Sequence, residues 1–219
     1  ISTVAILYPS PAQLVFNKKL GITSFGEIIE NKIPVNMTVG SINGSTHTTF
    51  LKLLQEYGIT TDDMIDWGCK LYNKGFGDTG EMFADEVIDG FFIVAGEPTV
   101  FVTQLSVNND MLFLEIDQSI LDAMCENYGY SQYIIDDDTY TFMDEDTKSF
   151  NSNTMLLASL ETPEDTVYKI TKSIYENLDY IKTLHASFEK ITVETLAGTP
   201  GVPLHPGAER YYKEIGLID

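Results

Sequence analysis

The fold is decided by the stretch VGSINGST, residues 39–46. It lies between an apolar run at 33–39, which is typical of a strand, and an amphipathic run at 48–57. Apolar residues in the second run recur at helical spacing, so the sequence predicts a helix that begins near Ser45. A strand, a loop of small polar residues and the start of a helix therefore follow one another here.

This arrangement can bind an anion. The first N–H groups of a helix have no intrahelical partner, and the helix dipole places partial positive charge there. A glycine lets a ligand approach the backbone, and hydroxyl and amide side chains add donors. The candidate ligand-binding residues of the loop are Ser41, Asn43, Gly44, Ser45 and Thr46. The alternative is that Asn43 or Ser45 only caps the helix, as such residues commonly do.

The composition limits the classes of partner. The chain has 219 residues, 43% of them hydrophobic, which is enough for a core in one large domain or two small ones. Its net charge is −20, from 33 acidic and 13 basic residues, so nucleic acid and anionic membranes are poor candidates. The sequence as given contains no run of membrane-spanning length and no signal peptide.

The residue types that bind metals form no motif. Cys69 and Cys125 can pair or stay free, and they lack metal-ligand spacing, while the three histidines are scattered. Acidic residues cluster at 136–138 and 144–146, but their spacing does not match an EF-hand loop. We therefore expect a solvated acidic loop, no metal site and no cofactor.

Strand-like and helical runs alternate along the chain. Strands are predicted at 2–8, 13–16, 33–39, 66–72, 91–95, 111–116 and 154–160. Helices are predicted at 25–31 after Ser24, from 45 to about 58, at 81–88, after Thr99, up to Cys125 and over 163–184. This alternation predicts an α/β fold with a parallel sheet. The long helix carries an apolar stripe, interpreted as core: Val167, Ile170, Ile174, Leu178 and Ile181.

Four motifs occur in order along the chain: LYPSP at 7–11, VGSINGST at 39–46, DGFFIVAGEPT at 89–99 and PLHPGAERYYKE at 203–214. Together they resemble the TAXI family of solute-binding proteins, the extracytoplasmic receptors of TRAP-type transporters. Asn43 and Ser45 stand where that family usually has glycines. The family's N-terminal glycine-rich segment has no counterpart here, so the resemblance implies the C-terminal portion of such a receptor.

The resemblance implies a type II periplasmic-binding-protein-like fold, with two α/β lobes and a ligand cleft between them. Lobe 2 would comprise residues 35–140. Lobe 1 would be discontinuous, built from residues 1–34 and 141–219, and incomplete at its start.

The same resemblance implies a receptor that binds a small carboxylate, such as glutamate or 2-oxoglutarate, and passes it to membrane permease subunits. Ligand contacts would come from the loop at 39–46, from Gly96 and Thr99, and from Tyr8 in lobe 1. His205 would be structural and would fix the turn before the last helix.

Two other functions compete with that of a transport receptor, and the long helix raises a separate expectation about oligomeric state. An enzyme is not expected, because no nucleophile elbow, P-loop or Cys–His motif is present, and Glu97 alone could act as a base. A stand-alone ligand-sensing or interaction module that lost the transport role stays open. Finally, the helix at 163–184 has a full apolar face, so we expect exposed apolar surface and a homodimer through the incomplete lobe.

Overall fold

A computed structural model describes residues 1–198 and 201–219 of the chain. The strands are β1 (Ser2–Asn17), β2 (Asn36–Thr38), β3 (Lys70–Tyr72), β4 (Gly90–Val94), β5 (Met111–Phe113), β6 (Ser131–Ile135) and β7 (Thr147–Ala158). The helices are α1 (Phe25–Asn31), α2 (Ser45–Glu56), α3 (Thr61–Asp66), α4 (Phe76–Ala84), α5 (Val100–Ser106), α6 (Gln118–Tyr128), α7 (Glu164–Glu176), α8 (Leu178–Lys182), α9 (Val193–Leu196) and α10 (Pro206–Glu214). Short 3-10 turns occupy Lys18–Leu20 and Ala186–Phe188. This mixed α/β fold with a central sheet confirms the predicted fold class.

The sheet is mixed. The sequence analysis predicted a parallel sheet, and that prediction is wrong. Its strand order is β3-β2-β4-β1-β7-β6, and β5 also pairs with β1. β2 runs parallel to β3 and β4, whereas β1 runs antiparallel to β4 and β5, and β6 runs antiparallel to β7. The two strands predicted at 2–8 and 13–16 are one continuous strand, β1, which runs through Pro9 and Pro11.

The chain forms two compact units. The central unit comprises residues 11–152, and the other unit comprises residues 1–10 and 153–219. These bounds differ from the lobe boundaries predicted at 34 and 140. The reason is strand pairing: residues 12–16 of β1 pair with β4, and Thr147–Asn151 of β7 pairs with β6, so both stretches belong to the central unit.

The central unit has apolar side chains on both faces of its sheet. β4 shows this directly, because Phe92 packs with Phe50 in one buried cluster while Phe91 packs with Phe83 in another. All three of Phe91, Phe92 and Ile93 are buried. The continuous apolar run at 91–95 is therefore a strand covered on both sides, as expected for a strand of an α/β sheet.

The predicted helix starts agree with the structure at some positions and differ from it at others. Ser24 caps α1 by accepting the Glu27 N–H at 3.1 Å, as predicted. The structure adds α3, with a capping box between Thr60 and Asp63, where the sequence had indicated only the start of a strand at 66. It also begins α4 at Phe76, five residues before the predicted start.

The long helix predicted at 163–184 is two helices, α7 and α8, separated at Asn177. Its stripe is core as predicted, because Val167 and Leu178 are buried and Ile174 and Ile181 pack against the same cluster. Ile170 is the exception in the stripe, because 40% of its surface is exposed. The apolar face expected to lie open is covered instead by α10, whose Ala208, Tyr211 and Tyr212 are buried in that cluster.

The PLHPGAERYYKE motif builds this packing. His205 Nδ1 accepts the Gly207 N–H at 3.1 Å and so caps α10, which confirms the structural role predicted for His205. Gly207 approaches the α7 backbone so closely that an added Cβ would collide with Glu164 O and Tyr168 N. The Tyr212 hydroxyl donates toward Val4 O at 3.0 Å and Leu196 O at 3.2 Å. The motif therefore holds the C-terminal helix in place.

We predict that Gly207→Ala destabilises the protein by more than about 2 kcal/mol, because the new methyl group collides with a backbone that cannot rotate away. Gly77→Ala is the matched control, since Gly77 lies in α4 and an added Cβ there has nothing within 4 Å. That control should gain about 0.5–1 kcal/mol from helix propensity. Urea unfolding of both variants measures this; equal midpoints would contradict the close packing of α7 on α10.

Candidate functional site

The loop between β2 and α2 has a defined backbone conformation. Gly40 has φ +80° and Asn43 has φ +63°, so both lie in the left-handed region. Gly44 N–H donates to Ser41 O at 2.9 Å and closes the turn before the helix. Ser41, Asn43 and Ser45 are exposed, as a ligand-binding loop requires.

The N-terminus of α2 carries no side-chain cap. Gly44 is the N-cap residue, and it has no side chain that could accept a hydrogen bond from the first turn. The alternative in which Asn43 or Ser45 caps the helix is therefore wrong for this structure. The helix is 12 residues long and begins as predicted at Ser45. Its first N–H groups are left without the usual intramolecular acceptor.

A second loop lies beside the first, and the sequence had not indicated it. Asn73 Nδ2 donates to Gly40 O at 3.1 Å, and an added Cβ at Gly75 would lie 3.9 Å from Ser41 Oγ. Gly75 is the N-cap residue of α4 and, like Gly44, provides no side-chain cap. Because β2 and β3 are parallel, the two helices begin at the same edge of the sheet. The glycines at 75, 77 and 80 were the available signal, but they were interpreted as a turn.

Thr46 connects the loop to β4. Its Oγ1 accepts the Val94 N–H at 3.2 Å, and the residue is 9% exposed. The hydroxyl oxygen therefore stabilises the packing of α2 against the last residue of β4. This contact also places the VGSINGST loop near the second predicted segment, because Gly96 follows Val94 by two residues.

Gly96 and Thr99 belong to a hydrogen-bonded network. The Thr99 hydroxyl donates to Gly96 O at 2.8 Å, and the Thr99 N–H donates to the Tyr140 hydroxyl at 2.8 Å. Tyr140 in turn donates to Gln13 Oε1 at 2.7 Å. Thr99 is the N-cap residue of α5, and the helix begins where it was predicted. The network holds the start of α5, and its members Gln13 and Tyr140 had no signal in the sequence.

Tyr8 belongs to the other compact unit, the one formed by residues 1–10 and 153–219. It is half-buried and makes an edge-to-face contact with Phe188, with ring centroids 5.4 Å apart. The other seven predicted ligand-binding residues lie in the central unit. Within that unit the structure brings the loop, the end of β4 and the start of α5 together.

Among the groups relevant to catalysis, Glu97 and Cys69 are buried and Cys125 is partly buried. Glu97 is 1% exposed and accepts the Tyr133 hydroxyl at 2.9 Å, so it does not face solvent as a general base would. Cys69 and Cys125 are free thiols, and burial raises the pKa of both. A raised thiol pKa keeps the sulfur protonated and weakens it as a nucleophile.

The acidic segment at 136–146 is bonded within itself. Asp146 accepts the Asp137 N–H at 3.0 Å, and Asp144 lies 3.7 Å from the Lys18 ammonium. Among residues 1–198 and 201–219, no group of three or more His, Cys, Asp or Glu is placed to hold a metal ion. A cavity of about 290 Å³ lies beside this segment, lined in part by Phe113 and Phe142, and none of the predicted ligand-binding residues lines it.

Comparison with known proteins identifies one family. The model of the NMT1-like family matches residues 1–216. The chain is also similar in structure to the periplasmic aliphatic sulphonate binding protein SsuA from Escherichia coli, with 11% identity and a TM-score of 0.40. The alkanesulfonate-binding protein SsuA from Xanthomonas axonopodis pv. citri, bound to MOPS, matches with 12% identity and a TM-score of 0.43.

In both comparisons 97% of this chain is covered, and the chain spans 58% of the length of the sulfonate-binding protein. The finer TAXI assignment stays a prediction. In the part of the chain that the structure describes, no helix is long and apolar enough to cross a membrane.

We predict that Tyr140→Phe destabilises the protein by about 1–3 kcal/mol, because it leaves the Thr99 N–H and the Gln13 amide oxygen without their buried partner. Tyr180→Phe is the control, since Tyr180 is 66% exposed, and it should change stability by less than about 0.5 kcal/mol. Thermal unfolding compares the two. Equal melting temperatures would show that the network does not stabilise the start of α5.

Proposed function

Since the chain belongs to the NMT1-like family, we propose that it is the ligand-binding part of an extracytoplasmic solute-binding receptor whose ligand is a small carboxylate. The observation that carries the proposal is the uncapped, exposed start of α2. Backbone N–H groups at such a position bind carboxylate oxygens through charge-assisted hydrogen bonds. Ser41, Asn43 and Ser45 would add side-chain donors around the same point.

The distribution of charge supports this choice of helix. The first turn of α2 contains no acidic residue, although the chain carries 33 of them. Acidic residues occupy the first turns of α1, α3, α4, α7, α8, α9 and α10, whereas α5 and α6, like α2, have none there. An acidic side chain at a helix start neutralises the dipole that an anion would use. The first turn of α2 keeps that dipole available despite the net charge of −20.

The finer assignment is a receptor of a TRAP-type transporter, with glutamate or 2-oxoglutarate as ligand and membrane permease subunits as partners. It rests on the motifs that resemble the TAXI family. In this proposal Gly44 admits the carboxylate, Thr46 positions the helix, and Gly96 and Thr99 lie on the neighbouring helix start. The buried Glu97 and the absence of a recognised catalytic motif favour binding over chemistry.

We predict that L-glutamate or 2-oxoglutarate raises the melting temperature. A ligand at a hundredfold excess over its dissociation constant stabilises the native state by about 2.7 kcal/mol if only that state binds. A thermal-shift screen of dicarboxylates, amino acids and alkanesulfonates measures the effect. The sulfonates are included because helix N–H groups can donate hydrogen bonds to any oxyanion. Stabilisation by sulfonates alone would contradict the carboxylate assignment.

A second prediction concerns Ser45→Asp, which should separate folding from binding. Aspartate is favourable at a helix start, so stability should change by no more than a few tenths of a kcal/mol, about the size of the dipole interaction at an exposed end. Its carboxylate would occupy the ligand's donors and repel the ligand. Affinity for the carboxylate found in the screen should fall at least about tenfold, or about 1.4 kcal/mol.

Two matched variants separate the effect of the aspartate charge from the effect of replacing the serine side chain. Ser45→Asn keeps a polar side chain of the same size as aspartate without its charge, and Ser45→Ala removes one hydroxyl and leaves the backbone N–H groups free. Both should retain most of the affinity in a calorimetric titration. If Ser45→Asp binds as tightly as Ser45→Asn, the start of α2 is not the anion site.

A receptor and a sensing module differ in their partners. A receptor should co-purify with the membrane permease encoded beside it, in a ligand-dependent way, whereas a sensing module should not.

A further inference from the structure

Lys74 lies between two residues that contact the VGSINGST loop. On one side of it, Asn73 Nδ2 donates to Gly40 O at 3.1 Å. On the other side, an added Cβ at Gly75 would lie 3.9 Å from Ser41 Oγ. Because successive Cα atoms are about 3.8 Å apart, the backbone of Lys74 is held next to the loop. Its flexible side chain can bring the ammonium group to a ligand that lies there.

The end of β3 and the start of α4 are fixed against β2, the strand that leads into the loop. The Val39 N–H donates to Tyr72 O at 3.0 Å. Thr79 Oγ1 of α4 donates to Thr38 Oγ1 of β2 at 3.1 Å, and both threonines are buried. Lys74 lies in the chain between these two connections, so the packing of the sheet sets its position relative to the loop.

The ammonium group of Lys74 has a partner that is easily exchanged. Its Nζ lies 3.4 Å from Asp78 Oδ2, and the two side chains are 45% and 62% exposed. An exposed ion pair of this kind contributes little to stability, because water solvates both charges when they separate. A carboxylate of a ligand can therefore replace Asp78 at little cost.

Positive charge is scarce in this chain, which carries 33 acidic and 13 basic residues. Lys70 begins β3, whereas Lys74 follows the end of that strand, where α2 and α4 both begin. The other lysines of the central unit make contacts elsewhere: Lys18 and Lys19 pair with carboxylates, Lys32 and Lys52 lie over aromatic rings, and Lys148 bonds to a glutamine side chain. Lys74 is the lysine placed beside the candidate site.

We propose that Lys74 binds the second carboxylate of a dicarboxylate ligand, in exchange for Asp78, while the first carboxylate lies at the start of α2. This inference rests on the proposed function and deepens it, because it makes Lys74 the residue that selects a dicarboxylate. A ligand with one carboxylate leaves the ion pair with Asp78 intact and gains nothing from the lysine. A ligand with two carboxylates gains a charge-assisted hydrogen bond.

Two ligands that differ only in the second carboxylate test this selection. 2-Oxoglutarate and 2-oxopentanoate have the same chain length, and a methyl group replaces the second carboxylate in 2-oxopentanoate. By calorimetry, the wild-type protein should bind 2-oxoglutarate at least about tenfold more tightly, which is the size of one hydrogen bond to a charged group. L-Glutamate and L-glutamine form a second pair, in which a neutral amide replaces the carboxylate.

Substitution of Lys74 should remove the preference and leave the rest of the site. In Lys74→Gln, affinity for 2-oxoglutarate should fall at least about tenfold, and affinity for 2-oxopentanoate should stay within about twofold of wild type. Lys74→Arg keeps the charge and should restore the preference. Lys70→Gln is the matched control, because this exposed lysine lies at the opposite end of β3, and it should leave both affinities unchanged.

Removal of the internal competitor should act in the opposite direction. Asp78→Asn releases the ammonium group of Lys74, so affinity for 2-oxoglutarate should rise at least about twofold, and more than affinity for 2-oxopentanoate. Asp85→Asn is the control, because it removes the same charge at the other end of α4, where Asp85 is exposed. It should leave the preference unchanged.

Two results would overturn the inference and leave the proposed function standing. One is a wild-type protein that binds both oxo acids equally, and the other is a Lys74→Gln protein that keeps the preference for 2-oxoglutarate. Ser45→Asp separates the two contacts, since it should weaken both oxo acids, whereas Lys74→Gln should weaken only the dicarboxylate. A wild-type protein that binds neither oxo acid would also overturn the inference. The proposed function fails only if every carboxylate of the thermal-shift screen fails as well.

Discussion

Pairing along β1 is the constraint on which the rest of the structure depends. This 16-residue strand is buried over most of its length and contributes to both compact units. Val4 and Ala5 lie in the cluster formed with the C-terminal helices, while Leu14 and Phe16 lie in the core of the central unit. The same strand makes the sheet mixed, because β1 lies antiparallel to β4. Pro9 and Pro11 lie inside this strand and do not end it.

The most specific family motif turns out to be structural and not part of the predicted ligand site. In PLHPGAERYYKE, His205 caps a helix, Gly207 permits close contact with α7, and Tyr212 bonds to two backbone carbonyls. Burial raises the pKa of the Tyr212 hydroxyl, so it stays a hydrogen-bond donor. Packing therefore accounts for this motif, whereas the proposed ligand contacts come from less distinctive small residues.

Local electrostatics decide the character of the candidate site in spite of the overall charge. At physiological ionic strength, charges separated by more than about 8 Å are largely screened, so distant carboxylates have little effect on a bound anion. In the proposed site, the group nearest to the ligand would be the first turn of α2, which has neither an acidic residue nor a side-chain cap.

The sequence by itself determined the features that depend on neighbouring residues: the starts of α1, α2 and α5, the strand buried on both faces at β4, and the core stripe of α7. Capping and periodicity act over three or four residues, so they can be read locally. Only the tertiary structure decided the strand directions, the bounds of the compact units, the break at Asn177 and the second glycine-capped helix at Gly75. It also decided that the Thr46 hydroxyl oxygen accepts a hydrogen bond from β4. These features depend on which residues distant in the sequence meet in the fold, and no local pattern encodes that pairing.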